Sequence, residues 1–245
     1  MILLHKQSLP PQLSAELHQL EISEEWDSIP DTDVSSMRLF FDNEFPKQKI
    51  RENLIKDQHG LCAYCMSRIK SSGQSMAIEH WKSLSSSKRL ALKYSNLLGV
   101  CMGGQRTNTD ERRVLCCDAK KKESEISIDP LNATHMSQIA YKRSGLIYML
   151  NGDDELEKDI NERLQLNGSR DSLGNLVTDT TTQLVKRRKD AYEQYASIMA
   201  RLGESGGISR ADIQEAIDKL MDAEKRTEMV GVIVFFLKRK MHGAR

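Results

Sequence analysis

Cys62-Ala63-Tyr64-Cys65 is the first stretch of this sequence whose residue types and spacing could do chemistry. Two thiolates separated by two residues can grip one metal ion from a single tight turn, most often Zn²⁺. A redox dithiol has the same spacing, but it wants a βαβ setting of the thioredoxin kind, and the flanking sequence offers none. Cys101, together with Cys116 or Cys117, completes a four-thiolate set and leaves one cysteine over. The plainer reading of Cys101, Cys116 and Cys117 is that they are small buried apolar side chains. The expectation is a structural zinc site.

Between the two cysteine groups lies Ala77-Ile78-Glu79-His80-Trp81. Neighbours in an ideal strand point to opposite faces, so Glu79 and His80 share a site only where the strand gives way to a loop. Further on, Asn96 leads the apolar run Leu97-Leu98-Gly99-Val100 into Cys101. Cys116-Cys117-Asp118-Ala119-Lys120-Lys121-Lys122 reads as a helix start with Asp118 in its first turn. From His80 to Lys122 there are ten Lys/Arg against three Asp/Glu, although the whole chain balances 36 basic with 35 acidic side chains. A local positive stretch draws in polyanions; a solvated basic face stands beside that reading as the bland one.

The elements that must position these residues follow from periodicity and punctuation. Residues 1–35 carry Pro10, Pro11 and Pro30 and read as an irregular arm with a short helix from about Ser14 to Ile22. Residues 1–50 hold four basic and nine acidic side chains. Apolar spacing predicts helix over Ser35–Gln58, broken near Pro46 and ended by Gly60. Strand-like pieces are expected at Met76–Ile78, Leu97–Val100 and Gly145–Leu150. Helices are expected at Leu156–Leu164, Thr178–Leu202, Ser209–Glu224 and Lys225–Met241, with Ser209 and Asp212 as a capping box. The expected organisation is an acidic N-terminal arm and helix over 1–58, a zinc-stapled α+β module over 59–150 and an all-helical C-terminal region over 151–245.

The order C-x-x-C, Glu79-His80, Asn96-Leu97-Leu98-Gly99-Val100-Cys101, then Cys117-Asp118-Ala119-Lys120-Lys121 resembles the zinc-stapled branch of the HNH (ββα-metal) endonucleases. Lys121 stands four after Cys117, as in that motif, which selects Cys117 over Cys116 as the fourth zinc ligand beside Cys62, Cys65 and Cys101. Gly60 through Cys65, Ile78-Glu79-His80, Asp129-Pro130-Leu131-Asn132 and Tyr141-Lys142-Arg143-Ser144-Gly145 are similar, more narrowly, to HNH proteins of retron and Septu-type antiphage defence systems (PtuB-like). The likeness covers roughly residues 50–150. Two features depart from the motif: fourteen or fifteen residues separate Cys101 from its partner, and Asp118 replaces the usual His or Asn. A carboxylate is an adequate ligand for a hard cation.

The resemblance implies a metal-dependent endonuclease that hydrolyses phosphodiester bonds, of DNA in the first place and of RNA or tRNA in the second. Glu79 and Asp118 would hold a catalytic Mg²⁺ or Mn²⁺, His80 would act as general base, and Asn96 would hold its imidazole. Lys82, Arg112, Arg113, Lys120 and Lys121 would contact nucleic-acid phosphates. It also implies a P-loop ATPase partner subunit (PtuA-like), with a retron reverse transcriptase and its RNA/DNA as further partners. No phosphate loop of the G-x-x-x-x-G-K-S/T type occurs in this chain, so any ATP dependence comes from the partner. The alternative is a zinc-stapled nucleic-acid-binding or adaptor subunit that cleaves nothing.

Other classes fit less well. Five cysteines in 245 residues do not make a disulfide scaffold. The longest strongly apolar run, Met229 to Leu237, is nine residues, against about 20 for a membrane span, and reads as a core helix. The opening residues Met1 to Lys6 lack the features of a secretory signal. A cytoplasmic protein with no membrane partner is the expectation. His5, His18, His59 and His242 have no chemical company in the sequence; His135, just after Asp129-Pro130-Leu131-Asn132, is worth following.

Overall fold

The N-terminal helices form where the sequence supplies their ends. In the computed structural model, which describes residues 1–105, 114–171, 173–175, 177, 181–204 and 207–243, Pro11 opens α1 (Pro11–Glu21), a position that needs no backbone N–H. The Ser23 hydroxyl caps α2 (Glu24–Ser28) by accepting from Trp26 N at 3.2 Å. Asp33 caps α3 (Val34–Asn43) by accepting from Ser36 N at 3.0 Å. Pro46 separates α3 from α4 (Lys47–Asp57), the break expected from its ring.

The short helix expected near Ser14–Ile22 is present as α1, but the rest of the segment, expected to be an irregular arm, is corrected by this structure. Met1, Leu4, Leu13, Leu17 and Trp26 are all buried in the core. Leu4 N donates to Pro130 O at 2.9 Å, and the Trp26 ring lies 5.0 Å from that of Phe40. The segment is poor in apolar residues, but Leu13 and Leu17 sit one helical turn apart and share a face. Two of its seven acids are ion-paired: Glu16 with Lys49 at 2.7 Å and Glu21 with Lys93 at 2.6 Å.

Strand β1 (Met76–His80) pairs antiparallel with β2 (Leu97–Cys101), so that Met76 faces Cys101 and His80 faces Leu97. Helix α5 (Lys88–Ala91) lies in the connection, and α6 (Cys117–Lys121) packs on β2. Asn132 caps α7 (Ala133–Ser137), after which β3 (Ile139–Tyr141) and β4 (Ile147–Met149) make a second antiparallel pair. Their turn needs Gly145: its φ is +90°, and a Cβ there would lie 2.1 Å from Val185 O.

Asp153 caps α8 (Asp154–Lys158), which runs on into a π-helical turn over Asp159–Arg163. The long helices α9 (Leu184–Gly203), α10 (Arg210–Met221) and α11 (Val230–Met241) close the fold. Ser209 and Asp212 form the capping box expected from the sequence. Thr178, the expected start of α9, lies outside the described residues. Helix α11 starts five residues later than expected because Met229 takes a left-handed φ of 56° and donates its N–H to Met66 O. Val230, Val232, Ile233, Val234, Phe236 and Leu237 on α11 are buried, with α9 and α10 packed against it. The architecture is α+β, with more helix than strand and two small antiparallel pairs among the described residues, and no described helix is long and apolar enough to cross a membrane.

Because Trp26 is an integral part of this core, Trp26→Ala should destabilise the protein by about 3 kcal/mol or more. Chemical denaturation followed by circular dichroism measures it; an unchanged midpoint would show that the N-terminal segment does not belong to the core.

Candidate metal centre and adjoining cleft

A tight turn builds the first half of the centre. Cys62 N donates to Ser67 O at 2.8 Å and Met66 N to Cys62 O at 3.0 Å, with Met66 left-handed at φ 63°. Ala63 N bonds Gly99 O at 3.0 Å, tying the turn to β2. The second half comes from Cys101, at the end of β2, and Cys117, at the start of α6. Gly103 lets the returning chain approach: a Cβ there would stand 2.1 Å from Cys116 O. Cys117 itself is left-handed at φ 55°, and its N–H donates to Leu164 O at 2.9 Å.

The four sulfurs of Cys62, Cys65, Cys101 and Cys117 lie within 4.8 Å of one another. The pairs measure 3.9 Å for Cys62–Cys117, 3.6 Å for Cys65–Cys101 and 3.8 Å for Cys101–Cys117. Four thiolates at ~2.3 Å from one tetrahedral Zn²⁺ would stand about 3.8 Å apart, so the donor set fits such an ion. Cys116, adjacent and buried, lies outside this quartet. Burial pushes the Cys62 thiol well above its ordinary range, while hydrogen bonds from the other cysteines, Cys101 first, hold Cys65 well below it.

Next to the centre a cleft of about 460 Å³ opens, with Glu79, His80 and Asp118 in its lining. His80 ends β1, where the ribbon gives way to a loop, and both it and Glu79 reach the same cleft. Glu79 is buried; Tyr64 Oη donates to its Oε1 at 3.1 Å and Lys121 Nζ lies 2.8 Å from the same oxygen. Burial, and then the neighbouring Asp118 carboxylate, push Glu79 up to about 8, against the pull of Lys121. Two facing carboxylates suit a hard divalent cation, which commonly takes one or two carboxylates and leaves its other positions to water and phosphate.

His80 is oriented from two sides. Its Nε2 lies 2.9 Å from Ala91 O, and its ring meets Phe41 edge-on at 4.7 Å. A carbonyl only accepts, so Nε2 carries the proton and Nδ1 keeps the free lone pair. Burial lowers the imidazole to about 4, which leaves it neutral at pH 7.

Three expectations for individual residues change. Asn96 does not bond the imidazole: its Oδ1 accepts from Lys82 N at 2.8 Å, and its Nδ2 donates to Lys82 O at 3.0 Å and Leu90 O at 3.2 Å. It fixes the backbone just after His80, because a buried amide is satisfied best by the peptide groups around it. Lys121 is not a surface cation but fully buried, donating to Glu79 and to His80 O. Lys82 is engaged by Glu125 at 3.2 Å and lies over the Trp81 ring. Lys120 is exposed and does not line the cleft; Arg112 and Arg113 lie outside the described residues. The cleft instead presents Arg38 and Lys122, neither of them singled out in the sequence. His135 is structural, its Nδ1 accepting from Asp129 N at 3.2 Å.

Gln58 was also silent in the sequence. It is buried, donates to Leu61 O and Gly99 O at 2.7 Å each, and accepts from Gly99 N at 2.6 Å. It thereby clamps the cysteine turn to β2 across 41 residues of sequence.

No protein-family model matches the chain. Over 85 residues, 32% of this chain, it is 34% identical to an Escherichia coli protein named "Retron Ec83 putative HNH endonuclease". The match covers 33% of that relative's length.

Protein purified without chelator should contain one zinc per chain, and its Co²⁺-substituted form should show the absorption of a tetrahedral tetrathiolate site. Cys117→Ser should lose the metal and lower the melting temperature, whereas Cys116→Ser should keep both; the reverse pattern would reassign the fourth ligand.

Proposed function

We propose that this chain is an HNH-type endonuclease, a zinc-stapled ββα-metal module that hydrolyses nucleic-acid phosphodiester bonds with a divalent cation, DNA before RNA. The observation that supports it best is His80, neutral, with Nε2 tied to Ala91 O and Nδ1 free, in one cleft with the Glu79 and Asp118 carboxylates. Water attacks phosphorus in line; its proton passes to His80 Nδ1 as the new P–O bond forms and the bond to the leaving sugar oxygen breaks. Glu79 and Asp118 would hold Mg²⁺ or Mn²⁺, which would supply positive charge to the reacting phosphate. Lys122 at the cleft wall offers charge for a flanking phosphate, and Arg38 beside it is paired with Glu123.

One observation favours the second reading, a binding or adaptor subunit that does not cleave. Lys121 already occupies Glu79 with a buried ammonium, so a cation must share or displace that contact. Cleavage of labelled duplex DNA, single strands and tRNA with Mg²⁺ or Mn²⁺ separates the two. Cleavage should occur, and His80→Ala should slow it by ~10²–10⁴ with zinc content and melting temperature unchanged. Equal rates for parent and variant would overturn the assignment of His80.

The defence context and the ATPase partner belong to the same proposal and rest on the family resemblance and on the retron name of the relative. Deleting residues 1–35 is no test of docking, since that segment is part of the core. Co-expression with a neighbouring P-loop ATPase should give co-elution on size exclusion; a chain that elutes alone and cleaves at full rate would remove the partner from the account.

A further inference from the structure

A second cleft, of about 520 Å³, shares no lining residue with the first. It opens between the β3–β4 turn and helices α9 and α11, and its rim carries Lys142, Arg143, Arg239 and Lys240. All four are exposed. No acidic residue lines the cleft, and none of the four is in an ion pair among the described residues. What distinguishes these four is that they gather around one concavity with no acid in its lining, in a molecule of net charge +1.

The cleft is also aromatic. Tyr148 and Tyr195 are half-buried in its wall, and Phe236 lies beneath, its ring 5.5 Å from that of Tyr195. Lys142 Nζ stands 5.7 Å over the Tyr148 ring, so a cation and a ring face are offered side by side. The frame is fixed before any ligand arrives: Gly145 presses the turn against α9, and the buried Arg188 on α9 donates to Gly145 O at 2.6 Å. A preformed site spends less of its binding energy on ordering.

Cations beside half-buried aromatic rings suit a polymer that repeats a phosphate and a flat base. A duplex shows its phosphates but covers its base faces, whereas a single strand shows both. We propose that this cleft binds single-stranded nucleic acid, with backbone phosphates on Lys142, Arg143, Arg239 and Lys240 and a base stacked on Tyr148 or Tyr195. The site is independent of the hydrolytic reading, since it needs neither His80 nor a divalent cation. It gives a role to Tyr141-Lys142-Arg143-Ser144-Gly145, which the first cleft leaves unused.

Fluorescence anisotropy of the full chain with a labelled oligo-dT of about twelve nucleotides, without added Mg²⁺ or Mn²⁺, tests this. Charge reversal at the two exposed turn positions, Lys142→Glu with Arg143→Glu, should weaken binding by about tenfold or more and flatten the log-affinity against log-salt slope by roughly 1.4. Tyr195→Ala should weaken binding by about fivefold or more and leave that slope unchanged. A duplex of the same length should bind more weakly to the parent. Circular dichroism melting of each variant shows that it is folded. Parental affinity in both variants would overturn the proposal. Competition by poly-glutamate as strong as by unlabelled oligo-dT, with no effect of Tyr195→Ala, would also overturn it and assign the cleft to an acidic protein surface.

Discussion

Four sulfurs held within one tetrahedron are the constraint from which the rest of the site follows. They join three segments distant in sequence: the turn at Cys62–Cys65, the end of β2 at Cys101 and the start of α6 at Cys117. Fixing Cys117 places Asp118 one residue on, opposite Glu79 at the end of β1. The turn also contributes Tyr64, whose hydroxyl donates to the same Glu79 oxygen that Lys121 meets. Staple and cleft are thus one construction, and the helical remainder braces it. Arg187 on α9 donates to Ser67 Oγ at 2.7 Å and pairs with Glu228 at 2.6 Å, just before α11.

Glu79 and Asp118 would repel one another in so buried a place, and the Lys121 ammonium offsets part of that cost at 2.8 Å from Glu79. A buried ion pair in this position is a competitor for a divalent cation as well as a brace. The general base is prepared differently. Phe41 and the surrounding burial keep His80 neutral, and the Ala91 carbonyl selects its tautomer. The two carboxylates and the imidazole therefore sit at opposite ends of the same electrostatic logic, one favouring protons or cations, the other shedding them.

Much of this was legible in the sequence because it is written in local spacing. The C-x-x-C turn, the strands on either side of Asn96, the break at Pro46, the capping box at Ser209 and the apolar run of α11 each declare themselves within a few residues. What stayed hidden depends on distance across the fold. Gln58 meets Gly99 across 41 residues, and Arg38 reaches the cleft from α3; neither leaves any local trace. Lys121 misled because three consecutive lysines read as a solvated face, whereas helical geometry turns the second of them inward beside Asp118. The N-terminal segment misled through composition, since a few well-spaced apolar residues and two intramolecular ion pairs are enough to dock it.

The central claim, that one tetrathiolate ion positions two carboxylates and a neutral imidazole around a phosphate, is open to a direct measurement. Crystals grown with Mn²⁺ and a non-cleavable phosphorothioate oligonucleotide would be measured at the zinc and manganese absorption edges. The account predicts a zinc peak about 2.3 Å from four sulfurs. It predicts a manganese peak between Glu79 and Asp118, with a backbone phosphate on the His80 Nδ1 side. A first cleft without manganese, with Lys121 still seated on Glu79 and the strand bound elsewhere, would contradict it.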